Sequence, residues 1–161
     1  MSNSTKVTWR RYVRLAVVVL LLVWFFIVLS QTVFGRKPFD GNHFQPELFW
    51  SYRSVQMKEA WFVRQIIGNV IMYMPFGFLF PLLLNRKLSG WKVFAITLIA
   101  GLAISFSTEF MQYIFRIGLF EFDDMFHNGL GIVIGFLIHL VFVRAFDFLS
   151  DIGGLHAQED S

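Results

Sequence analysis

Four long stretches of the chain carry almost no charge, and short polar segments separate them. The first, 15–35, has no charged residue and opens on an unbroken apolar run over 15–29. The second covers 65–84, the third 93–115 with a single carboxylate at Glu109, and the fourth 125–143. Crossing the hydrocarbon core of a bilayer takes about 20 predominantly apolar residues, and a helix satisfies its own backbone hydrogen bonds there. The pattern therefore predicts an all-α polytopic membrane protein, a bundle of four transmembrane helices over 15–146. A basic segment, 1–14, precedes it, and a polar tail, 147–161, reads as disordered. The loop 36–64 carries Pro38, Gly41, Asn42 and Pro46, then the aromatics Phe49, Trp50 and Tyr52. That composition suits a segment lying at the headgroup level.

Polar positions inside the spans follow helical spacing. Ser105, Glu109, Gln112 and Arg116 fall at i, i+4, i+7 and i+11 in the third span, and Asp124, Asn128, Gly131 and Gly135 repeat those intervals in the fourth. Asn69, Tyr73 and Gly77 line one face of the second. Each set occupies one side of its helix, and the three sets share a depth. The third span leaves the membrane near Arg116, the fourth enters near Asp124 and the second near Ile66, all on one side. Glu109 lies ~10 Å inside that boundary at 1.5 Å per residue.

A carboxylate at such a depth costs about 2.5–3.5 kcal/mol on insertion scales and normally faces a partner or a wet cavity. Glu109, Gln112, Arg116, Asp123, Asp124 and Asn128 make a larger cluster than locking a bundle requires. They are read here as an outward-facing polar pocket. Gln112 is placed to bridge Glu109 to Arg116, and Arg53 or Arg64 to reach in from the outer loop. The competing reading, in which buried pairs only lock the helices, stays open. Gly131 and Gly135 form a small-x-x-x-small step for close helix approach. Pro75 and Pro81 are expected to kink the second span. His127 and His139 read as interior histidines.

Composition supports the membrane assignment. Of 161 residues, 56% are hydrophobic and 16% charged, with 21 Phe and 5 Trp. A water-soluble surface needs about a quarter to a third charged residues. The net charge of +3 comes from Lys and Arg beside apolar runs, with no basic stripe that would imply a nucleic-acid partner. With the N-terminus inside, eight of these cations fall on the inner side and six on the outer. The tight turn around Arg86 and Lys87 belongs to the inner set, so both termini are expected in the cytoplasm. The basic start followed by an apolar run is read as an uncleaved anchor, because no small-residue cleavage site follows Leu29. With no Cys, disulfides and thiolate metal sites are excluded.

Three segments together resemble the VanZ-like family. They are the second-span run from Asn69 through Tyr73, Pro75 and Gly77 to Pro81, the third-span run from Ser105 through Glu109 and Gln112 to Arg116, and the fourth-span run from Asp123 through Asp124, Asn128 and Gly131 to Gly135. Asn42, Pro46 and Phe49 weakly resemble the family's upstream loop. Glu121 stands where relatives often carry Asp. The resemblance implies a bacterial plasma-membrane protein of the cell envelope, in a family whose founding member is associated with resistance to the glycopeptide teicoplanin. It implies no particular reaction.

Three functions compete on this reading. The first is a protein binding a lipid, a lipid-linked cell-wall precursor or a glycopeptide through Asn69, Gln112, Arg116, Asp123, Asn128 and Arg53. The second is a membrane-embedded enzyme on a phospholipid or lipid-linked substrate. In that case Glu109 and Asp124 are the candidate catalytic residues, and Glu121, Asp123 and Asp124 are oxygen ligands for a divalent cation such as Mg²⁺. The third, a small transporter, finds little support because the chain shows no inverted repeat.

Overall fold

The computed structural model describes the backbone of residues 3–34, 36–38, 40–41, 43–50, 60–85 and 87–159, with side chains described from 11 to 150 apart from 60–62. Four long helices account for most of it: α1 (Asn3–Leu29), α2 (Ala60–Leu79), α3 (Gly90–Phe115) and α4 (Phe122–Glu159). Each holds a segment long and apolar enough to cross a membrane: Arg11–Phe34, Val63–Leu83, Gly90–Phe115 and Phe122–Ser150. Large apolar side chains such as Phe26, Ile99 and Val141 are about two-thirds exposed on the outside of the bundle. In water that surface would aggregate; against acyl chains it is what a spanning helix requires. The protein is a four-helix, multi-pass membrane protein.

Local chemistry explains how the helices end. A π-helical turn (Ser30–Phe34) extends α1. There Ser30 Oγ donates to the Ile27 carbonyl at 2.8 Å and Thr32 Oγ1 to the Val28 carbonyl at 2.7 Å. A 3₁₀ turn (Phe80–Leu83) extends α2, with Pro81 in its first turn, where a missing N–H costs nothing. α3 stops at Arg116, which adopts the left-handed conformation (φ 53°, ψ 38°). The Ile117 amide then reaches back to the Gln112 carbonyl at 3.0 Å, so orphan carbonyls at the helix end are satisfied. α4 runs on as helix through Glu159, where the sequence suggests a disordered tail from Asp147. No proline interrupts 147–159. Extending an existing helix avoids a new nucleation step, and Gly153 and Gly154 each cost only about 1 kcal/mol.

α2 and α4 make the closest helix pair. A Cβ on Gly131 would collide with the Val70 carbonyl, one on Gly135 with the Met74 carbonyl, and one on Gly77 with the Ile132 carbonyl. Glycines thus interleave from both sides of the seam, and backbones meet where side chains would hold them apart. α1 docks on the other side of α2. Pro75 has no N–H to give the Ile71 carbonyl, and the next carbonyl, that of Met72, accepts the Trp24 indole N–H at 2.6 Å. Trp24 also meets Tyr73 edge-on at 5.5 Å and Phe76 at 5.0 Å. Trp24, Val28, Tyr73, Phe76 and Ile132 form the apolar core.

At the end of the bundle away from the chain termini, two short strands that periodicity does not predict pair in parallel. β1 (Phe44–Gln45) lies beside β2 (Phe120–Glu121), with Phe44 opposite Phe120 and Gln45 opposite Glu121. The Phe120 amide donates to the His43 carbonyl at 2.8 Å. This ladder draws the loop after α1 across the α3–α4 connection, and it closes one end of the bundle.

Candidate functional site at the ladder end

Under the ladder, the polar faces of α2, α3 and α4 meet. Ser105, Glu109 and Gln112 of α3 are all buried, as are Asp124 and Asn128 of α4. Residues on one face of each helix therefore share one interior. At its base, Asn128 Nδ2 donates to Ser105 Oγ at 2.8 Å. Beside that bond the Tyr73 hydroxyl faces the hydroxyls of Ser105 and Thr108. Above it, Glu109 Oε2 accepts the Glu121 amide at 3.1 Å. This bond ties the β2 backbone to the last two turns of α3. At the top, Gln65 Nε2 lies 3.3 Å from Glu121 Oε2 and 3.2 and 3.3 Å from the two Asp124 oxygens. One amide thus joins two carboxylates, and Asn69 stands next to Asp124 one turn further along α2.

Glu109, Glu121 and Asp124 are each less than 10% exposed and close enough to act on one another. Like charges so near, in so little water, oppose joint ionisation. Among the described residues, Arg36 is a cation that acts on all three, and its Nη1 also lies 3.3 Å from Gln112 Oε1. Glu121, on the ladder outside the spans, shows the consequence. Burial first, and then the charge of Asp124, push its carboxyl up to about 8, against the opposing pull of Arg36. Asp123 is also buried, and its charge acts on both Glu121 and Asp124, but its carboxylate has a partner of its own. Neighbouring helical positions point about 100° apart, and the Asp123 carboxylate accepts the Phe49 amide of the loop instead.

Several expectations change at this point. Arg116 is exposed. As the left-handed cap of α3 it points away from the carboxylates, and Gln112 therefore bridges to Arg36 and not to Arg116. Arg64 is exposed on α2, and Arg53 lies outside the described residues. Glu121, Asp123 and Asp124 do not converge as metal ligands. Among the described residues no group of three or more His, Asp or Glu is arranged to hold a metal ion. Amides occupy these oxygens instead: the Phe49 amide that of Asp123, and the Gln65 amide those of Glu121 and Asp124. Asn69, Gln112, Asp124, Asn128 and Glu109 do come together. Gln65 belongs with them and was legible, one turn before Asn69 on the same face. Arg36 was not, since a loop residue has no periodicity to place it.

Two recesses flank the cluster. One, of about 220 Å³, lies between α1 and α3 and includes Phe25, Leu29, Ile104 and Met111 in its wall. The other, of about 500 Å³, opens on the far side of the ladder and is lined by Gly41, His43, Phe44, Tyr113, Ile114 and Arg116.

The sequence pattern that defines the VanZ/LLP1 family matches residues 15–143, which covers most of each of the four spans and every residue of the cluster. No curated protein and no solved structure matches the chain.

Proposed function

The chain belongs to the VanZ/LLP1 family, and from that membership we propose that it is a bacterial plasma-membrane protein whose acidic cluster recognises the headgroup of a lipid or lipid-linked envelope molecule. The observation that carries this reading is the meeting of Glu121 and Asp124 at Gln65, with Glu109 buried beside them and accepting the Glu121 amide, at one end of the bundle. Locking helices together needs one satisfied pair. Three carboxylates drawn from α3, β2 and α4 exceed that, and intramembrane carboxylates mark ligand paths more often than scaffolds. Carboxylates accept hydrogen bonds, so the matching ligand groups are donors: hydroxyls, amides or an ammonium. The ladder covers the cluster, and its opening admits the headgroup.

In this reading the ladder end faces outward and both termini are cytoplasmic, which agrees with the excess of Lys and Arg at the other end. Protection against teicoplanin would follow where the bound molecule is one the glycopeptide needs or is the glycopeptide itself. One observation favours a second reading, an enzyme. A Glu121 carboxyl that titrates at about 8 is a proton donor matched to neutral pH. Such an enzyme would use Glu109, Glu121 and Asp124 as its acid–base groups.

The test uses purified protein in nanodiscs, bacterial membrane lipid extract and native mass spectrometry. Glu109→Gln and Asp124→Asn are expected to lose at least ten-fold in retained headgroup lipid while their melting temperatures stay within a few degrees of the parent. Full retention by both folded variants overturns the reading. Loss of folding in both favours a lock. Release of a cleaved product from the extract, abolished by Glu121→Gln, favours the enzyme.

A further inference from the structure

The ladder that covers the acidic cluster has a second face, with different chemistry. On that side lies the recess of about 500 Å³, in the size range of small-ligand pockets. Its wall carries Arg116 as a nitrogen donor, the His43 ring and Tyr113 as aromatics, and Phe44 and Ile114 as apolar surface. None of its six lining residues is a carboxylate. Arg116 is the first residue beyond the membrane span of α3, the level at which lipid phosphates lie.

The backbone adds an independent observation. Arg116 sits at φ 53°, a conformation that costs an L-residue about 1–2 kcal/mol and that helix ends usually assign to glycine. Here the glycine, Gly118, is two residues further on, at an ordinary negative φ. An arginine held where glycine fits better is a strained residue kept for its side chain. The strain also aims it. In a continued helix, position 116 would fall on the face of Glu109 and Gln112, whereas the left-handed turn puts it on the recess wall.

We infer that this recess binds the anionic headgroup, phosphate or carboxylate, of a membrane lipid, with Arg116 as its principal ligand and His43 beside it. A guanidinium presents two parallel N–H donors to such a group. Phe44 and Ile114 give the recess apolar wall for the chains of that lipid. His43 is fixed at the wall by a 3.3 Å contact from Nδ1 to the Gly118 carbonyl; a carbonyl only accepts, so Nδ1 carries the hydrogen. Gly118 is the partition between the two sites. A Cβ there would lie 2.6 Å from Gln112 Oε1 and 2.9 Å from Arg36 Nη1, so the recess and the polar interior are one glycine apart. A headgroup with an anion and a hydroxyl or ammonium donor would span both. That pairing rests on the acidic-cluster reading; the anion site does not.

Full-length protein in neutral detergent, titrated with short-chain phosphatidylglycerol, phosphatidylcholine and inorganic phosphate, tests the inference. Arg116→Gly removes the guanidinium and relieves the backbone, so its melting temperature without lipid should equal or exceed the parent's. Phosphatidylglycerol affinity is expected to fall at least ten-fold in Arg116→Gly and to recover largely in Arg116→Lys. A parent preference for phosphatidylglycerol over both phosphatidylcholine and phosphate assigns the anion to a lipid. Equal affinity for inorganic phosphate, lost in Arg116→Gly, keeps the anion site but overturns its assignment to a lipid. Unchanged phosphatidylglycerol binding in a folded Arg116→Gly protein overturns the site altogether. The two readings fail separately: phosphatidylglycerol binding lost in Arg116→Gly but kept in Glu109→Gln supports the anion site and counts against the acidic cluster, whereas binding lost in Glu109→Gln but kept in Arg116→Gly overturns the anion site alone.

Discussion

Glu121 connects the ladder to the cluster, and its charge state sets how firmly the two are joined. Its carboxyl is held up to about 8 by burial and by Asp124, whereas in an opened ladder it would return to the ordinary carboxylate range near 4.5. Between those values the closed form keeps a proton that the open form releases. Stability from this group is therefore complete below about 4.5 and falls as pH rises through about 8. Hydrogen exchange at the Phe120 and Glu121 amides should accordingly show more frequent opening at pH 8.5 than at pH 6, beyond the intrinsic pH effect. Glu121→Gln, neutral throughout, should remove most of that excess. At this scale the sequence was informative where a residue lay on a helix. Glu109, Asp124, Gln112 and Asn128 were placed by spacing alone. Arg116 was misplaced because the left-handed cap breaks the spacing one residue beyond Phe115. Arg36 left no trace because its position depends on a loop crossing the bundle.

The glycine seam governs how close α2 and α4 come. Gly131→Ala and Gly135→Ala each drive a methyl into a backbone carbonyl, of Val70 and Met74, where no rotamer offers escape. Each is expected to destabilise by about 1–3 kcal/mol, the usual cost of overpacking, measured as a lowered melting temperature in detergent. Gly68→Ala is the internal control. It lies in α2 with open space around it, so it should be neutral or stabilise by up to about 1 kcal/mol through helix propensity. The spans themselves were legible within a few residues, since lipid makes length and hydropathy nearly sufficient. The Gly131–Gly135 step announced a close approach but not its partner. The ladder was illegible, because strands of two residues carry no alternation to read. Its register comes from Phe120, Phe122 and Phe44 packing together and from the amide that Glu109 accepts.

For the molecule as a whole, hydropathy and buried charge work together. An apolar exterior fixes that the helices span, and three buried carboxylates fix which faces turn inward. Orientation follows from where the cations lie, and a chain without cysteine makes this simple to measure. Asp40→Cys, at the ladder end, should react with a membrane-impermeant maleimide on intact cells. Lys87→Cys, in the short turn between α2 and α3, should react only after permeabilisation. The reverse pattern would place the cluster toward the cytoplasm and remove the outer-leaflet assignment. The larger question is whether Glu109 of α3 and Asp124 of α4 serve one binding site. A double-mutant cycle in headgroup-lipid affinity asks this directly. If they do, Glu109→Gln and Asp124→Asn each weaken binding at least ten-fold and the double variant is hardly worse than either. Folded single variants that bind as the parent does, or two losses that simply multiply, would contradict a shared site.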